Sequence, residues 1–301
     1  MAGIRILFGT DGSGGAGRAL ELLISSFEPG GVESVEVISV VPRIEGGPDA
    51  GTGAAPWTLV EESHRDAARR HAESAVDLLG GAGFGAIAIV RAGHPADTIV
   101  THAVARQPDL IVLGTRGLSG LRRRVIGSVS GKVARYAAAS VLVARTPGPI
   151  RRVLLGYDAS PDADQALELV ARLPFRGEPQ VTVCSAYHVV PPLTSGIAPT
   201  MVAEVRAAYR DSLRWAAEAA EAMAAIAVER LRDGGVAAAA RTARGPAHEQ
   251  LAIVAAELPA DLLVVGSRGL SAIQRFFLGS TSAAVVAHPP TSVLVARRTG
   301  G

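Results

Sequence analysis

Residues 114–128 read GTRGLSGLRRRVIGS, directly after the apolar run DLIVL. Residues 266–280 read GSRGLSAIQRFFLGS, directly after DLLVV. The second stretch repeats the first 152 residues later. Gly114, Gly117, Gly127 and Ser128 fall on Gly266, Gly269, Gly279 and Ser280. One glycine-rich loop is weak evidence, since short glycine patterns are common in ordinary turns. Two copies with the same internal spacing are not accounted for by chance alone.

The repeat extends outward. IRILFGTDGS, at residues 4–13, is echoed by IRRVLLGYDAS at residues 150–160, now at an offset of 147. Asp11 falls on Asp158 and Ser13 on Ser160. The offset therefore grows by five residues between the first motif and the last. The variable stretch around 188–203, or the helix after it, is the expected place for the insertion. The halves join near TPGP, residues 146–149, which gives units of 1–147 and 148–301. So short a joint predicts units that pack closely.

Each unit alternates short apolar runs with longer helical stretches. In the first, strands are predicted at 4–9, 33–40, 85–90, 109–114 and 140–145. Helices are predicted at 15–27, 58–79, 95–106 and 127–138. Residues 42–57, rich in glycine and proline, read as a loop. In the second, strands are predicted at 151–156, 180–187, 236–242, 261–266 and 292–296. The helices there are 160–173, 204–232, 247–258 and 280–287. Runs such as ILFG, LIVLG and LLVVG are apolar throughout rather than alternating, which suits strands covered on both faces. The pattern predicts an α/β fold with two parallel sheets, each flanked by helices on both sides. Ligands in such folds sit beyond the carboxyl ends of the strands.

Composition bounds the function. The net charge is +2, and each half carries 15 basic and 14 acidic residues. Generic nucleic-acid binding therefore gains little support. The single cysteine, Cys184, excludes an intrachain disulfide and reads as a buried apolar residue. The seven histidines show no metal-ligand spacing, so no side-chain metal cluster is expected. No continuous apolar run reaches membrane-spanning length. The opening MAGIRILFGTDGS runs straight into a strand pattern, so the expectation is a cytoplasmic protein.

In each motif, glycines allow a sharp exit from the strand and close backbone approach. Gly-Ser then opens a helix. Amides at a helix start point at whatever lies in front of them, which makes an anion cradle. Arg116, with some of Arg122, Arg123 and Arg124, adds positive charge in the first unit. Arg268 and Arg275 do so in the second. Neither stretch has the spacing of a Rossmann fingerprint or of a P-loop. Read without the repeat, they fit ordinary strand-to-helix turns. Asp11 and Asp158 likewise fit turn-capping carboxylates.

The G-x-x-G, nine residues, G-S pattern resembles the nucleotide-binding signature of the universal stress protein family. Asp11-Gly12-Ser13 and Asp158-Ala159-Ser160 match the turn after that family's first strand. SVLVAR, ending at residues 145 and 297, matches its last strand. The resemblance implies two tandem three-layer α/β/α domains, each with a five-stranded parallel sheet of order 3-2-1-4-5. It implies ATP as ligand, with Mg²⁺ as a companion held through the phosphates. Asp11 and Asp158 would face ribose or adenine, and Val41 and Val189 the base. Gly93 and Gly245 match a glycine after the third strand. The triphosphate would meet the G-x-x-G loops and the helix starts, Gly127-Ser128-Val129-Ser130 and Gly279-Ser280-Thr281-Ser282. The family pairs units through strand 5, so a tandem chain could make that pairing within itself, and the resemblance favours a dimer. The turn DGSGGAG departs from the pattern by carrying extra glycine where the first helix begins.

A regulatory protein that binds an adenine nucleotide is the leading expectation, with no catalytic residue assigned. A slow ATP hydrolase or nucleotidyl-transfer enzyme is the alternative, and a structural interaction protein with vestigial pockets the third.

Overall fold

The computed structural model describes residues 3–42, 54–115, 126–196, 198–268 and 278–297. In the first half, strands β1 (Ile4–Gly9), β2 (Val32–Val41), β3 (Ala86–Ala92), β4 (Leu110–Gly114) and β5 (Ser140–Ala144) alternate with helices. These are α1 (Gly14–Ser26), α2 (Ala54–Gly81), α3 (Pro95–Arg106) and α4 (Ser128–Tyr136). The second half repeats the order. Its strands are β6 (Arg152–Gly156), β7 (Gln180–Tyr187), β8 (Ala238–Arg244), β9 (Leu262–Gly266) and β10 (Ser292–Ala296). Its helices are α5 (Pro161–Arg172), α6 (Pro199–Asp233), α7 (Ala247–Glu257) and α8 (Ser280–Ala287).

Within each half the strands run parallel in the order 3-2-1-4-5. The halves share one sheet of order β3-β2-β1-β4-β5-β10-β9-β6-β7-β8. The joint is antiparallel, with Val143 opposite Val293, Leu142 opposite Leu294 and Val141 opposite Val295. The expected strand-5 pairing is thus made inside the chain. Because the joint is antiparallel, the carboxyl edges of the two halves face opposite ways. Strands near the middle are buried on both sides, as in β1, β4, β5 and β10. The outermost strands, β3 and β8, are largely exposed and carry Arg91, Arg241 and Arg244, which suits an edge that must resist pairing.

Two apolar layers sandwich the sheet. One packs α1, α2, α5 and α6 against Phe8, Val112, Leu142, Leu155 and Leu294. The other packs α3, α4, α7 and α8 against Leu7, Ile111, Val143, Leu263 and Val293. Both run unbroken through the joint. A second seam lies beside it, where the Phe27 and Phe175 rings stand 5.7 Å apart. There the Glu28 amide donates to the Pro174 carbonyl at 2.7 Å.

Local differences from the sequence reading have simple causes. Helix α2 starts at Ala54, so residues 54–57 are helical and not loop. Pro56 falls in the first turn, where a missing N–H costs nothing. Residues 43–53 lie outside the described residues. Helix α6 starts five residues before the expected 204. Strand β8 begins at Ala238 rather than 236, because the Val236 amide closes the end of α6 on the Leu231 carbonyl. Register also refines the insertion. Gly9 pairs with Ile38 and Gly156 with Cys184, so the offset in the second strand is 146. The extra residues enter afterwards, chiefly in α6, which has 35 residues against 28 in α2.

One polar cluster is confined to the first half. Glu36 on β2 receives Arg106 Nε at 2.7 Å and faces His102 Nε2 at 2.7 Å. Burial alone would raise its carboxyl pKa. The Arg106 and His102 partners outweigh that and hold it below the ordinary 4.5. A depressed carboxylate stabilises the fold above its unfolded pKa, and the contribution is lost as pH falls through the folded value. Glu36→Gln is therefore expected to lower the urea midpoint near about pH 5, above the unfolded carboxyl value, and much less near about pH 3. An equal deficit at both pH values would contradict this account.

Candidate functional site

Both carboxyl edges carry a concavity where the strand order reverses, between the first strand of the unit and its neighbour, the fourth. Such switch points are where open α/β sheets take ligands. The first concavity encloses about 450 Å³ and the second about 230 Å³.

The first is built on the ends of β1, β2 and β4, with Gly9, Thr10, Val41, Leu113 and Gly114 in its wall. Asp11 is exposed at its mouth. Its Oδ1 accepts the Ser13 amide at 3.0 Å, and Ser13 Oγ accepts the Ala16 amide at 3.3 Å. Asp158 and Ser160 repeat this at 3.1 and 3.2 Å. Each carboxylate thus shapes the turn, as a capping carboxylate does, and also borders the cavity. Between Asp and Ser the backbone turns left-handed, with φ of +71° at Gly12 and +57° at Ala159. That conformation strains an alanine and not a glycine.

The other wall is the start of α4. Gly127 stands at the N-cap, and no side chain caps the helix. Gly279 does the same for α8. By contrast, Ser13 and Ser160 cap α1 and α5. Helix-start amides without a side-chain acceptor call for another acceptor. Ser128 and Ser280 are exposed at these starts, beside Val129 and Thr281. Ser130 and Ser282 were expected to add hydroxyls to the cradles. Both are buried, in the walls of the two cavities. Ser130 Oγ donates to the Gly127 carbonyl at 3.3 Å, and Ser282 Oγ to those of Gly266 and Ser267 at 2.9 and 3.1 Å. Each thus also pins its helix locally.

Gly93 and Gly245 close the second strand, donating to the Val41 and Tyr187 carbonyls at 3.0 and 2.9 Å. They brace the cavities from outside the lining. The same bonds make Tyr187 the counterpart of Val41. Val189 lies two residues past that point and is not in the cavity wall; its carbonyl accepts the Tyr209 hydroxyl at 3.3 Å. Tyr187 lies 146 residues after Val41, one fewer than the 147 between the first strands, whereas Val189 lies 148 after it. Arg116, Gly117 and Gly269 lie outside the described residues, as do Arg122, Arg123, Arg124 and Arg275.

Three features escaped the sequence reading. His64 and His71 of α2 line the first cavity, and the His71 ring lies against Gly12. Their seven-residue spacing, two helical turns, was the available signal. The second is Tyr157, at the position of Thr10. Its hydroxyl donates to Asp164 at 2.8 Å and is joined by Arg230. Burial first, then Asp164, raises its pKa. The third is Asp162, whose Oδ1 and Oδ2 each take a 3.1 Å bond from Arg268. Cys184 lines the second cavity. Burial pushes its thiol up to about 11, so it is protonated at neutral pH and a poor nucleophile. Among the described residues, no group of three or more His, Cys, Asp or Glu stands close enough to hold a metal ion. No described helix is long and apolar enough to cross a membrane.

Comparison with known proteins agrees with the repeat. Residues 4–145 and residues 149–297 each match the model of the universal stress protein family. Universal stress protein YxiE of Bacillus subtilis is 40% identical over 73 residues, which is 24% of this chain and 49% of that protein. The matched stretch thus spans about half the length of that curated relative. The crystal structure of a universal stress protein from Archaeoglobus fulgidus superposes with a TM-score of 0.66 at 22% identity, covering 99% of this chain and 97% of the other. A functionally unknown protein of Pseudomonas aeruginosa PAO1 gives 0.56 at 17% identity, covering 99% and 94%. At these identities the likeness is one of fold.

Proposed function

Because this chain belongs to the universal stress protein family in both of its halves, we propose that it is a nucleotide-binding stress-response protein whose ligand is ATP. The observation that carries this reading is the start of α4. Its amides have no side-chain cap, and they border a cavity of about 450 Å³ at the switch point of the sheet. That volume lies within the roughly 300–1,000 Å³ of ordinary ligand sites. In this reading the apolar end of β2 faces the base, Asp11 faces the sugar, and the start of α4 with the preceding loop takes the phosphates. Mg²⁺ would be held through those phosphates. The two units are residues 1–147 and 148–301, with the ATP pocket argued here in the first, and the place of action is the cytoplasm. Since β5 and β10 already cover each other, a dimer of whole chains has to form through another face.

Binding, not turnover, is the proposed act. One observation favours slow hydrolysis as a second reading: two imidazoles reach the first cavity. They hang from α2, however, in the layer opposite α4, whereas a base must reach water beside the terminal phosphate.

Calorimetric titration tests the reading. ATP is expected to bind more tightly than adenosine. Ser128→Leu should abolish most of that difference by crowding the helix start, while Ser128→Ala should preserve most of it, because the amides remain. Equal binding of ATP and adenosine would defeat the phosphate assignment. Phosphate release at ordinary enzymatic rates, about 1 per second or more, and lost in His71→Ala, would replace binding by hydrolysis.

A further inference from the structure

The two pockets are not equivalent, and the difference lies in the first turn of the helix after strand one. In α1 that turn carries no acidic residue; in α5 it carries Asp162 and Asp164. Asp162 stands where the first half has Gly15, two residues beyond the capping serine in each case. At Gly15 a side chain is excluded, since a Cβ would lie 2.0 Å from the Thr115 carbonyl oxygen. The extra glycines of DGSGGAG therefore bring α1 close to the exit of β4 and keep carboxylates out of it.

In the second half this place is taken by a carboxylate. Asp162 accepts Arg268 Nε and Nη2, both at 3.1 Å, and the Ser267 hydroxyl. Its side chain is 16% exposed and that of Arg268 is 35% exposed. Burial alone would raise the Asp162 carboxyl pKa, but Arg268 and Ser267 hold it below the ordinary value. It is therefore ionised at neutral pH. Arg268 is the arginine expected to meet a phosphate, and it lines the second cavity. A fork-to-fork pair with a carboxylate already uses two of its donors. The acids also offset the positive end of α5. An anion entering here meets an arginine whose charge is already neutralised, and it must compete with the Asp162 carboxylate for the guanidinium donors. The enclosed space, about 230 Å³, is below the usual range for ligand pockets of roughly 300 Å³ and more.

We propose that Asp162 sets the specificity of the second pocket by excluding phosphates, so that each chain takes one ATP, in its first half. The second pocket is left to an uncharged ligand of nucleoside size or smaller. Rejection by a like charge that already holds the partner cation is a common route to selectivity. This inference rests on the reading of the first pocket as an ATP site.

Calorimetry with ATP, and separately with adenosine, decides it on the full chain. Wild type is expected to take one ATP per chain, and Ser128→Leu to weaken that one. Asp162→Asn keeps the shape and the Ser267 contact while removing the charge. Asp162→Gly copies the first half. Each should reveal a second ATP site, at least tenfold tighter than any second site in wild type, with adenosine binding unchanged. Two equivalent ATP sites in wild type would overturn the inference and leave the nucleotide reading intact. One site in wild type and in both variants would overturn the role of Asp162. No ATP binding in any protein would overturn both this inference and the reading beneath it.

Discussion

Leu294→Asp is expected to unfold both halves of the chain together. Leu294 is fully buried and sits opposite Leu142 in the antiparallel joint. It belongs to an apolar layer that runs from α1 of one half to α5 of the other. An aspartate there loses the packing of the leucine and buries a carboxylate among aliphatic side chains with no cation opposite. Losses above about 4 kcal/mol come from this kind of change, against a total stability of about 5–15 kcal/mol for a typical protein. Because the layer is continuous, the loss should not stay in the second half. Wild type should melt in one cooperative transition. Leu294→Asp should lose it, and hydrogen exchange should speed up in β1 as much as in β9. A variant in which β1 keeps its protection while β9 loses it would show that the halves fold independently.

Arg297→Met is expected to cost about 3 kcal/mol, as when a charged donor is removed from buried acceptors. Arg297 follows β10 but reaches across the joint to the end of α4. Its guanidinium donates to the carbonyls of Ala134 and Arg135, at 2.8 and 2.9 Å, and to that of Ala137. These are last-turn carbonyls with no acceptor role left inside the helix. Burial lowers its pKa to about 10, so it is still charged at neutral pH, where a cation favours a helix C-terminus. Arg145, its counterpart after β5, donates to the Pro289 carbonyl beyond α8 at 2.7 Å. Each half thus secures the far end of the helix whose start forms the other half's cradle. Denaturant titration of Arg297→Met, with Arg297→Lys as a partial rescue, measures this. A loss below about 1 kcal/mol, the level of a weak surface pair, would show that the carbonyls find other partners.

The parts of this architecture fixed by repeated short-range signals were legible in the sequence. Apolar runs such as LIVLG marked buried parallel strands, and Asp11 and Asp158 marked the turns after the first strands. The doubled glycine spacing marked the two carboxyl edges. Pairing of β5 with β10 followed from the resemblance to a family that pairs its units through strand 5. What could not be read came from long-range geometry. Tyr187, not Val189, matches Val41 because strand register is set by hydrogen bonds across the sheet. Ser130 and Ser282 line the cavities as the sequence reading has it, but their bonds to backbone carbonyls were not legible there. Asp162 resembles any acid in a first helical turn until Arg268 is brought to it across 106 residues. His64 and His71 become pocket residues only once α2 is laid over β2.

Native mass spectrometry of the purified chain, without added ligand and then with ATP or adenosine, tests the central claim most directly. A complex of one chain with one ATP is expected to survive desolvation, with weaker retention of adenosine. Finding the chain free of adenine nucleotide at every ATP concentration used would contradict it.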